Sequence, residues 1–189
     1  MNSKNLIIRK LNNIEVISVY RKHLKKDFPR EERRPLLIVL RGIRKGYYDC
    51  YGCFEEGQLV GYMFLVKSNR DCLVDYFAVV SRRRNQGIGS AFLRQVSQTF
   101  DVDGLILEVE DPAFAESEEE KKLRERRVSF YKRNGFVDTD VRAVTFGVEF
   151  ILLRDSAHVY ESSKVRELYE TFYRCSLGDK LYEHNISIR

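Results

Sequence analysis

Apolar residues recur along the chain at two spacings, and the shorter spacing predicts strands. Runs rich in β-branched and aromatic residues, bounded by turn residues, predict strands in "LIIRKL" (6–11), "DCLVDYFAVV" (71–80) and "GLILEVE" (104–110). The stretch "YYDCYGCFEEGQLVGYMFLV" (47–66) predicts a hairpin about its "EEGQ" turn. Strand-forming residues resume at Phe136 and continue through "VTFGVEFILLR" (144–154).

Apolar residues three or four positions apart predict helices between these strands. The first helix covers 13–28, and the second begins at Pro35 and ends near Gly46. The third follows Gly87 and Gly89. It repeats an apolar residue every four positions, at Ile88, Phe92, Val96 and Phe100.

Two further helices are predicted in the second half of the chain. In the stretch 117–135, Ser117 and Glu120 fit a capping box, and Gly135 suits the terminating position. A tail helix from about Ser163 ends before Gly178. It carries apolar residues on one side, at Val165, Leu168, Tyr169 and Phe172.

The predicted order is strand, two helices, three strands, helix, strand, helix, two strands and a tail helix. A hairpin-rich first half followed by strand–helix–strand crossovers indicates an α/β (α+β) fold with a mixed sheet flanked by helices. We expect one domain over residues 1–160. The C-terminal helical extension, residues 161–189, is expected to pack on the same domain.

Composition narrows the class of partner and the compartment. The 189 residues have a formal net charge of +5, and 33 basic residues are interspersed with 28 acidic ones. A nucleic-acid binder segregates its charge more than this, so nucleic acid is not the expected partner. The longest apolar runs are too short to span a bilayer, and "MNSKNLIIRK" has no secretory apolar region. We therefore expect a cytoplasmic protein with no membrane partner.

Four cysteines are expected to be reduced thiols in that compartment, at Cys50, Cys53, Cys72 and Cys175. Cys50 and Cys53 form a CxxC pair, but they lie in a predicted strand, where positions i and i+3 point to opposite faces. We therefore expect buried small side chains there and no metal site.

The stretch "RRRNQGIGSAFLRQV" (82–96) has the composition of an anion-binding loop. It joins a strand to a helix, whose first N–H groups are unpaired and whose N-terminus is partially positive. Glycine lets the backbone approach a ligand, and arginine adds forked donors. The spacing R-x-x-G-x-G at Arg84, Gly87 and Gly89 therefore favours a pyrophosphate site, with an ordinary tight turn as the alternative.

Two motifs resemble those of the GNAT superfamily of acetyl-CoA-dependent N-acetyltransferases. "DYFAVVSRRRNQGIGSAFL" (75–93) resembles the acetyl-CoA-binding motif, a strand ending in an apolar-Ala-Val triplet followed by Arg/Gln-x-x-Gly-x-Gly/Ala. "FYKRNGF" (130–136) resembles a second motif, a tyrosine followed four residues later by Gly-Phe. The resemblance covers roughly residues 6–154 and leaves the tail helix outside.

The resemblance implies a GNAT-like fold that transfers an acetyl group from acetyl-CoA to an amine by direct attack. Phe77 and Val79 would offer backbone groups to the pantetheine arm, and Tyr131 would be the acid that protonates the thiolate. Where relatives carry an asparagine, this chain has Arg124, which could meet a phosphate or an acidic residue instead. The cofactor-binding residues so implied are Phe77, Ala78, Val79, Arg82, Arg84, Asn85, Gln86, Gly87, Ile88, Gly89, Ser90 and Arg124.

The sequence leaves the catalytic base open among three carboxylates. Glu108 and Glu110 alternate with apolar residues and point to one face of a strand, where carboxylates are costly to bury. Asp75 lies two residues before Phe77, a place where some relatives carry an acidic residue. Each of the three could instead bind a cationic substrate or pair with an arginine such as Arg124.

The acceptor is expected to be a primary amine of a small molecule or a protein, approached by the first two helices and their loop, "FPREERRP" (28–35). For this loop, a plain solvated loop is the alternative. The alternatives are a non-catalytic acyl-CoA-binding module and an acetyltransferase acting on a nucleic-acid-linked amine such as aminoacyl-tRNA. The tail helix could cover the core or form a homodimer contact.

Overall fold

The computed structural model of the chain describes residues 6–30, 32–99, 104–157 and 160–189. Within these residues, eight strands form a mixed sheet in the order β1-β2-β3-β4-β5-β7-β6-β8. The predicted mixed sheet flanked by helices is therefore confirmed. The chain divides into two compact units, Met1–Lys67 with Asp75–Phe100, and Ser68–Val74 with Asp101–Arg189. The tail, residues 161–189, is grouped with the strands of the second unit.

The first unit contains the N-terminal strands and four helices. Its strands are β1 (Leu6–Lys10), β2 (Tyr48–Glu55), β3 (Gln58–Ser68) and the end of β4 (Asp71–Val79). The last residue of β3, Ser68, is grouped with the second unit. Its helices are α1 (Asn13–Val19), α2 (Lys25–Asp27), α3 (Leu36–Lys45) and α4 (Ile88–Thr99). β1 pairs with β2, and β2 with β3, in antiparallel register.

The predicted first helix is confirmed, with one irregularity that the sequence did not indicate. Between α1 and α2 the backbone forms a π-helical turn over Tyr20–Leu24, and both of these end residues are buried. The helix starts with a full capping box, in which Asn12 and Glu15 each accept from the other's backbone N–H. The π turn therefore lies inside an otherwise well-defined helix.

The other helix starts in this unit differ slightly from the prediction. Pro35 is the N-cap of α3 rather than its first residue, and Gly46 ends that helix with a left-handed φ of 84°. α4 begins at Ile88, so Gly89 lies within its first turn instead of before it. Phe100 lies outside the described residues.

The second unit contains the remaining strands and the tail. Its strands are the start of β4, β5 (Gly104–Glu110), β6 (Phe136–Thr145), β7 (Val148–Asp155) and β8 (Ile186–Ile188). Its helices are α5 (Glu118–Arg133), α6 (Ser162–Leu177) and α7 (Asp179–Asn185). β4 and β5 are parallel, whereas β5–β7, β6–β7 and β6–β8 are antiparallel. The predicted strands and α6 are confirmed, but α7 and β8 were not predicted.

Each unit has its own apolar core. In the first unit, Leu24, Phe64 and Phe92 are fully buried. In the second, the four tail positions predicted to share one face are buried, and so are Leu107 and Leu152. Burial of α6 among the strands of its own unit explains why the tail is grouped with them.

Candidate active site

The last part of β4 has the exposure expected of a strand that receives a ligand. β4 is registered against β5 only over Asp71–Val74, and it continues for five residues to Val79. Phe77, Ala78 and Val79 are half-buried there. That the pantetheine arm lies along this segment stays a prediction.

The loop after β4 adopts two left-handed backbone conformations in succession. Asn85 has a φ of 60° and Gly87 a φ of 78°. A Cβ built at Gly87 would meet nothing within 4 Å, so the space in front of this glycine is open. Glycine is favoured at Gly87 because an L side chain is strained at such a φ.

The N-terminus of α4 follows this loop directly, and its first turn has backbone N–H groups that can donate to a ligand. The Ala91 N–H donates to the Gly87 carbonyl at 3.0 Å, which closes the first turn of the helix. Ile88, Gly89 and Ser90 occupy the first turn, whose N–H groups have no acceptor within the helix. Ile88 is buried and anchors the turn, whereas Gly89 and Ser90 are half-buried. This arrangement suits an anion such as a pyrophosphate.

The three arginines of the loop bind protein groups. Arg82 donates to Gln58 Oε1 at 3.4 Å, and Arg83 forms an ion pair with Glu55. Arg83 also donates to Gln86 Oε1 at 3.2 Å, and Gln86 Nε2 donates to the Arg82 carbonyl. These contacts brace the loop, so the backbone is the more direct anion donor.

Arg84 connects the loop to the end of α2. Its Nη2 donates to Asp27 Oδ1 at 2.7 Å, and its Nε donates to the Val79 carbonyl at 3.1 Å. Asp27 Oδ2 accepts from the Tyr62 hydroxyl at 2.9 Å. Burial, and then the negative charge of Asp27, raise the pKa of Tyr62, so Tyr62 remains a donor. Sequence reasoning missed Asp27, which lies 57 residues from its arginine partner.

Asp75 lies in a buried ion pair. Arg34 Nε donates to both of its carboxylate oxygens at 2.9 Å, and the Tyr48 hydroxyl donates to Oδ2. The Arg34 and Asp75 side chains are only 10% and 9% exposed. Burial, and then the Asp75 charge, raise the pKa of Tyr48 well above its usual value, so Tyr48 stays protonated.

The same cluster attaches the loop 29–35 to β4. The Tyr76 hydroxyl accepts from the Arg34 N–H at 2.7 Å and donates to the Glu32 carbonyl at 2.9 Å. The Tyr20 hydroxyl donates to the Arg34 carbonyl at 2.7 Å. This loop, expected to face the acceptor, is thus tied through its backbone; Glu31 lies outside the described residues. Sequence reasoning did not identify Arg34 as the anchor of this loop.

Tyr131, the predicted acid, lies near the end of α5. Its ring is half-buried and packs edge-to-face with Phe130 and Phe136, at centroid distances of 5.2 and 5.8 Å. Burial raises the pKa of Tyr131 to about 12, against a smaller opposing effect of Arg127. The phenol is therefore protonated at neutral pH, as a proton donor must be.

Glu110 and Arg124 belong to one cluster of charges. Glu110 forms an ion pair with Arg127, and its Oε1 lies 3.5 Å from Arg124 Nη2. Arg124 also donates to Glu120 at 2.7 Å and to the Asp111 carbonyl at 2.9 Å. Arg124 is 7% exposed, and its Nε is a buried donor with no hydrogen-bond partner among the described residues. Of the two expected partners of Arg124, the acidic residue is the one present.

Glu108 lies two residues before Glu110 and contacts a different element. The Tyr173 hydroxyl, on α6, donates to Glu108 Oε1 at 2.5 Å. Glu108 is half-buried, whereas Tyr173 is 4% exposed. Sequence reasoning placed Glu108 on β5 but did not find its tail partner, because 65 residues separate the two.

The cysteines are free thiols, and Cys50, Cys53 and Cys72 are buried, whereas Cys175 is exposed. Burial raises the pKa of Cys53 to about 12. Over the described ranges, no group of three or more His, Cys, Asp or Glu side chains could hold a metal ion. In the same ranges, no helix has the length and apolar character needed to cross a membrane.

The chain was compared with known proteins. The family model of the acetyltransferase (GNAT) domain matches residues 46–138. No sequence match is found among curated proteins. An acetyltransferase from Bacteroides thetaiotaomicron, assigned to the GNAT family, superposes with a TM-score of 0.74 at 20% identity. That match covers 92% of this chain and 99% of the other.

Two further solved structures share the fold at lower similarity. A chimera of the Vibrio cholerae spermidine N-acetyltransferase SpeG with hSSAT has a TM-score of 0.58 at 14% identity, over 84% of this chain and 96% of its own. The ribosomal-protein-S18-alanine N-acetyltransferase of Escherichia coli has a TM-score of 0.56 at 15% identity, over 79% and 92%. Residues 46–138 of this chain therefore match an acetyltransferase (GNAT) domain, and the chain has the fold of the GNAT structures.

Proposed function

We propose that this acetyltransferase uses acetyl-CoA and transfers its acetyl group to a primary amine of a small molecule or a protein. The observation that carries the proposal is the anion cradle after β4, where left-handed Gly87 leads into the N-terminus of α4. Backbone donors and a positive helix end are the features that a pyrophosphate requires.

The residues present fit the cofactor at both ends of this cradle. Phe77 and Val79 offer strand backbone to the pantetheine arm, and the segment from Arg84 to Ser90 offers N–H groups to the pyrophosphate. Arg82 and Arg84 add positive charge beside it. In the second unit, Arg124 Nε is a buried donor with no partner among the described residues, and such a donor is costly unless a ligand satisfies it.

When bound, acetyl-CoA supplies an acetyl thioester that a neutral amine attacks directly. Tyr131 serves as the acid, and its Oη–H protonates the departing sulfur. Glu108 serves as the base, directly or through water, and accepts the proton that the amine must lose. Positioning of both substrates supplies much of the remaining rate.

Glu108 is preferred over the other two carboxylates because of their partners. Asp75 and Glu110 are held by arginine side chains, so protonating either would leave a guanidinium without its counter-ion. Glu108 accepts from a phenol, which is neutral and remains satisfied when the carboxylate takes up a proton.

For the acceptor, we propose the reacting group, which is a primary amine. Two structural neighbours are named as N-acetyltransferases, one of spermidine, which is a small molecule, and one of the alanine of ribosomal protein S18. The loop 29–35, fastened to β4 by Arg34 and Tyr76, supports a preformed wall for such an acceptor.

The test combines calorimetry with a CoA-release assay. Acetyl-CoA should bind the wild type, and Gly89→Leu should weaken that binding, because a bulky side chain intrudes on the first turn of α4. Unchanged affinity in Gly89→Leu would reject the pyrophosphate assignment. A panel of polyamines, amino acids and peptides with free N-termini should then release CoA with at least one member, and no binding at millimolar acetyl-CoA would reject the function.

A further inference from the structure

The tail helix α6 contributes two tyrosines to the surroundings of Glu108. Tyr169 and Tyr173 are one helical turn apart and therefore share a face of α6. Their ring centroids are 4.8 Å apart, and both residues are buried. The Tyr169 hydroxyl lies 2.7 Å from Thr145 Oγ1 on β6. This packing fixes the pair against the strands of the same unit.

The Tyr173 hydroxyl donates to the Glu108 carboxylate, which also interacts with the Tyr169 hydroxyl. Its 2.5 Å contact with Glu108 Oε1 is short, as expected of an O–H donor and an ionised acceptor. A tyrosine fixes such a bond well, because its hydroxyl sits on a rigid ring with two rotatable bonds. The bond therefore limits where the Glu108 carboxylate can lie.

We infer that Tyr173 is a positioning residue that holds Glu108 in place for proton abstraction, so that the tail helix is part of the catalytic apparatus. This inference rests on the proposed function, in which Glu108 is the base. In the step concerned, Glu108 takes the proton from the amine nitrogen, and that nitrogen's electron pair forms the bond to the acetyl carbon. Tyr173 keeps its own proton throughout. It lies outside residues 46–138, which the family model matches.

The groups that face Glu108 determine how its titration responds to a change at Tyr173. α6 presents the phenols of Tyr173 and Tyr169, and β7 presents the apolar Leu152 opposite Glu108. Along β5, the nearest charge is Glu110, which is already paired with Arg127. Removal of the Tyr173 hydroxyl thus takes away a donor that favours the ionised form of Glu108.

The experiment measures kcat/KM against pH for the full chain and three variants. Tyr173→Phe should lower kcat/KM at pH 7 about three- to tenfold, chiefly through kcat, and move the acidic midpoint up by about half a pH unit. Glu108→Gln should remove that midpoint from the pH profile. The double variant Glu108→Gln with Tyr173→Phe should have nearly the same kcat/KM as Glu108→Gln alone. Tyr182→Phe is the matched control, because this buried tail tyrosine packs under Arg174, and its profile should equal the wild type.

Two further measurements separate this inference from folding effects and from the proposed function. Thermal melts of Tyr173→Phe and Tyr182→Phe separate unfolding from a change in activity, because each variant removes one hydroxyl from a buried tail tyrosine. The NMR signal of the Glu108 carboxyl is assigned by its absence in Glu108→Gln. Its titration in the wild type and in Tyr173→Phe measures the effect of the Tyr173 hydroxyl even if no amine releases CoA. A titration and a pH–rate profile unchanged in Tyr173→Phe, or a loss additive with Glu108→Gln, would overturn the inference.

Discussion

At the scale of single residues, the anion cradle depends on one glycine with a left-handed backbone. Gly87 and Gly57 offer a matched pair, with φ of 78° and 76° and no atom within 4 Å of an added Cβ. Alanine at either position should cost about 1 kcal/mol of folding free energy through backbone strain alone.

Only Gly87→Ala should also weaken acetyl-CoA binding, by about tenfold, because the cradle would change shape. Calorimetry and thermal melts of both variants check this. Equal acetyl-CoA affinity in Gly87→Ala and Gly57→Ala would show that the conformation at Gly87 has no bearing on the ligand.

Tyr131 is the second residue whose surroundings make a specific prediction. Tyr131→Phe should lower kcat by about 10²- to 10⁴-fold and leave acetyl-CoA affinity nearly unchanged, because only the acidic proton is lost. With a pKa of about 12, the phenol is neutral below that pH and starts to lose its proton only as pH approaches 12.

The wild-type pH–rate profile should therefore show no decline in rate near pH 10 that is due to Tyr131. A decline present in the wild type and absent in Tyr131→Phe would be due to this residue. Such a decline would place the phenol's titration well below the value that burial implies. Wild-type turnover in Tyr131→Phe would rule out an essential acid at this position.

At the scale of elements, the Asp27–Arg84 pair couples the end of α2 to the loop before α4. Asp27→Asn should raise the KM for acetyl-CoA about three- to tenfold with a smaller change in kcat, because Arg84 loses the partner that braces the loop. Lys26→Ala, an exposed neighbour on the same short helix, is the control and should leave KM unchanged.

Steady-state kinetics in the two substrates separately measure this effect. Raised ionic strength should reduce it, since Arg84 is half-exposed and its ion pair is partly screened. An Asp27→Asn enzyme with wild-type KM at low salt would mean that the loop holds its conformation without α2.

Long periodic elements were predictable from the sequence because their packing repeats along the chain. β5 and the buried face of α6 were identified from their apolar positions, and α5 was identified from the residues at its start and end, Ser117 with Glu120 and Gly135. The π turn was not identified from the sequence, because it adds a residue to the helix without changing which side chains are apolar. α7 and β8 were missed because seven and three residues are too short to show a period.

The candidate site was predictable only where its residues are neighbours in sequence. The loop with Gly87 and Gly89 lies within one motif, so its chemistry could be read directly. The partners of Asp75 and Glu108 lie 41 and 65 residues away, and no local pattern indicates which arginine or tyrosine folds back to them. The acidic partners of Arg124 were anticipated as an alternative, because both a phosphate and a carboxylate satisfy a guanidinium.

At the scale of the whole molecule, the tail is a structural part of the second unit. Phe172 is fully buried, so Phe172→Ala should lower the free energy of unfolding by about 3–5 kcal/mol. Leu181→Ala is the control, because Leu181 is 52% exposed and its loss should cost little. Thermal or urea unfolding of both variants measures the difference, and equal stabilities would mean that α6 is dispensable to the fold.

The π turn over Tyr20–Leu24 has a consequence for length variation in this segment. A π turn closes with i→i+5 bonds and so contains one residue more than an α turn. Loss of a single codon there would convert the π turn to an α turn, and Asp27 would keep its orientation, because the extra residue is taken up within one widened turn. A one-residue deletion in α1 would instead rotate Asp27 by about 100° away from Arg84 and Tyr62, so we expect length variation to be tolerated at the π turn and not in the α-helical turns beside it.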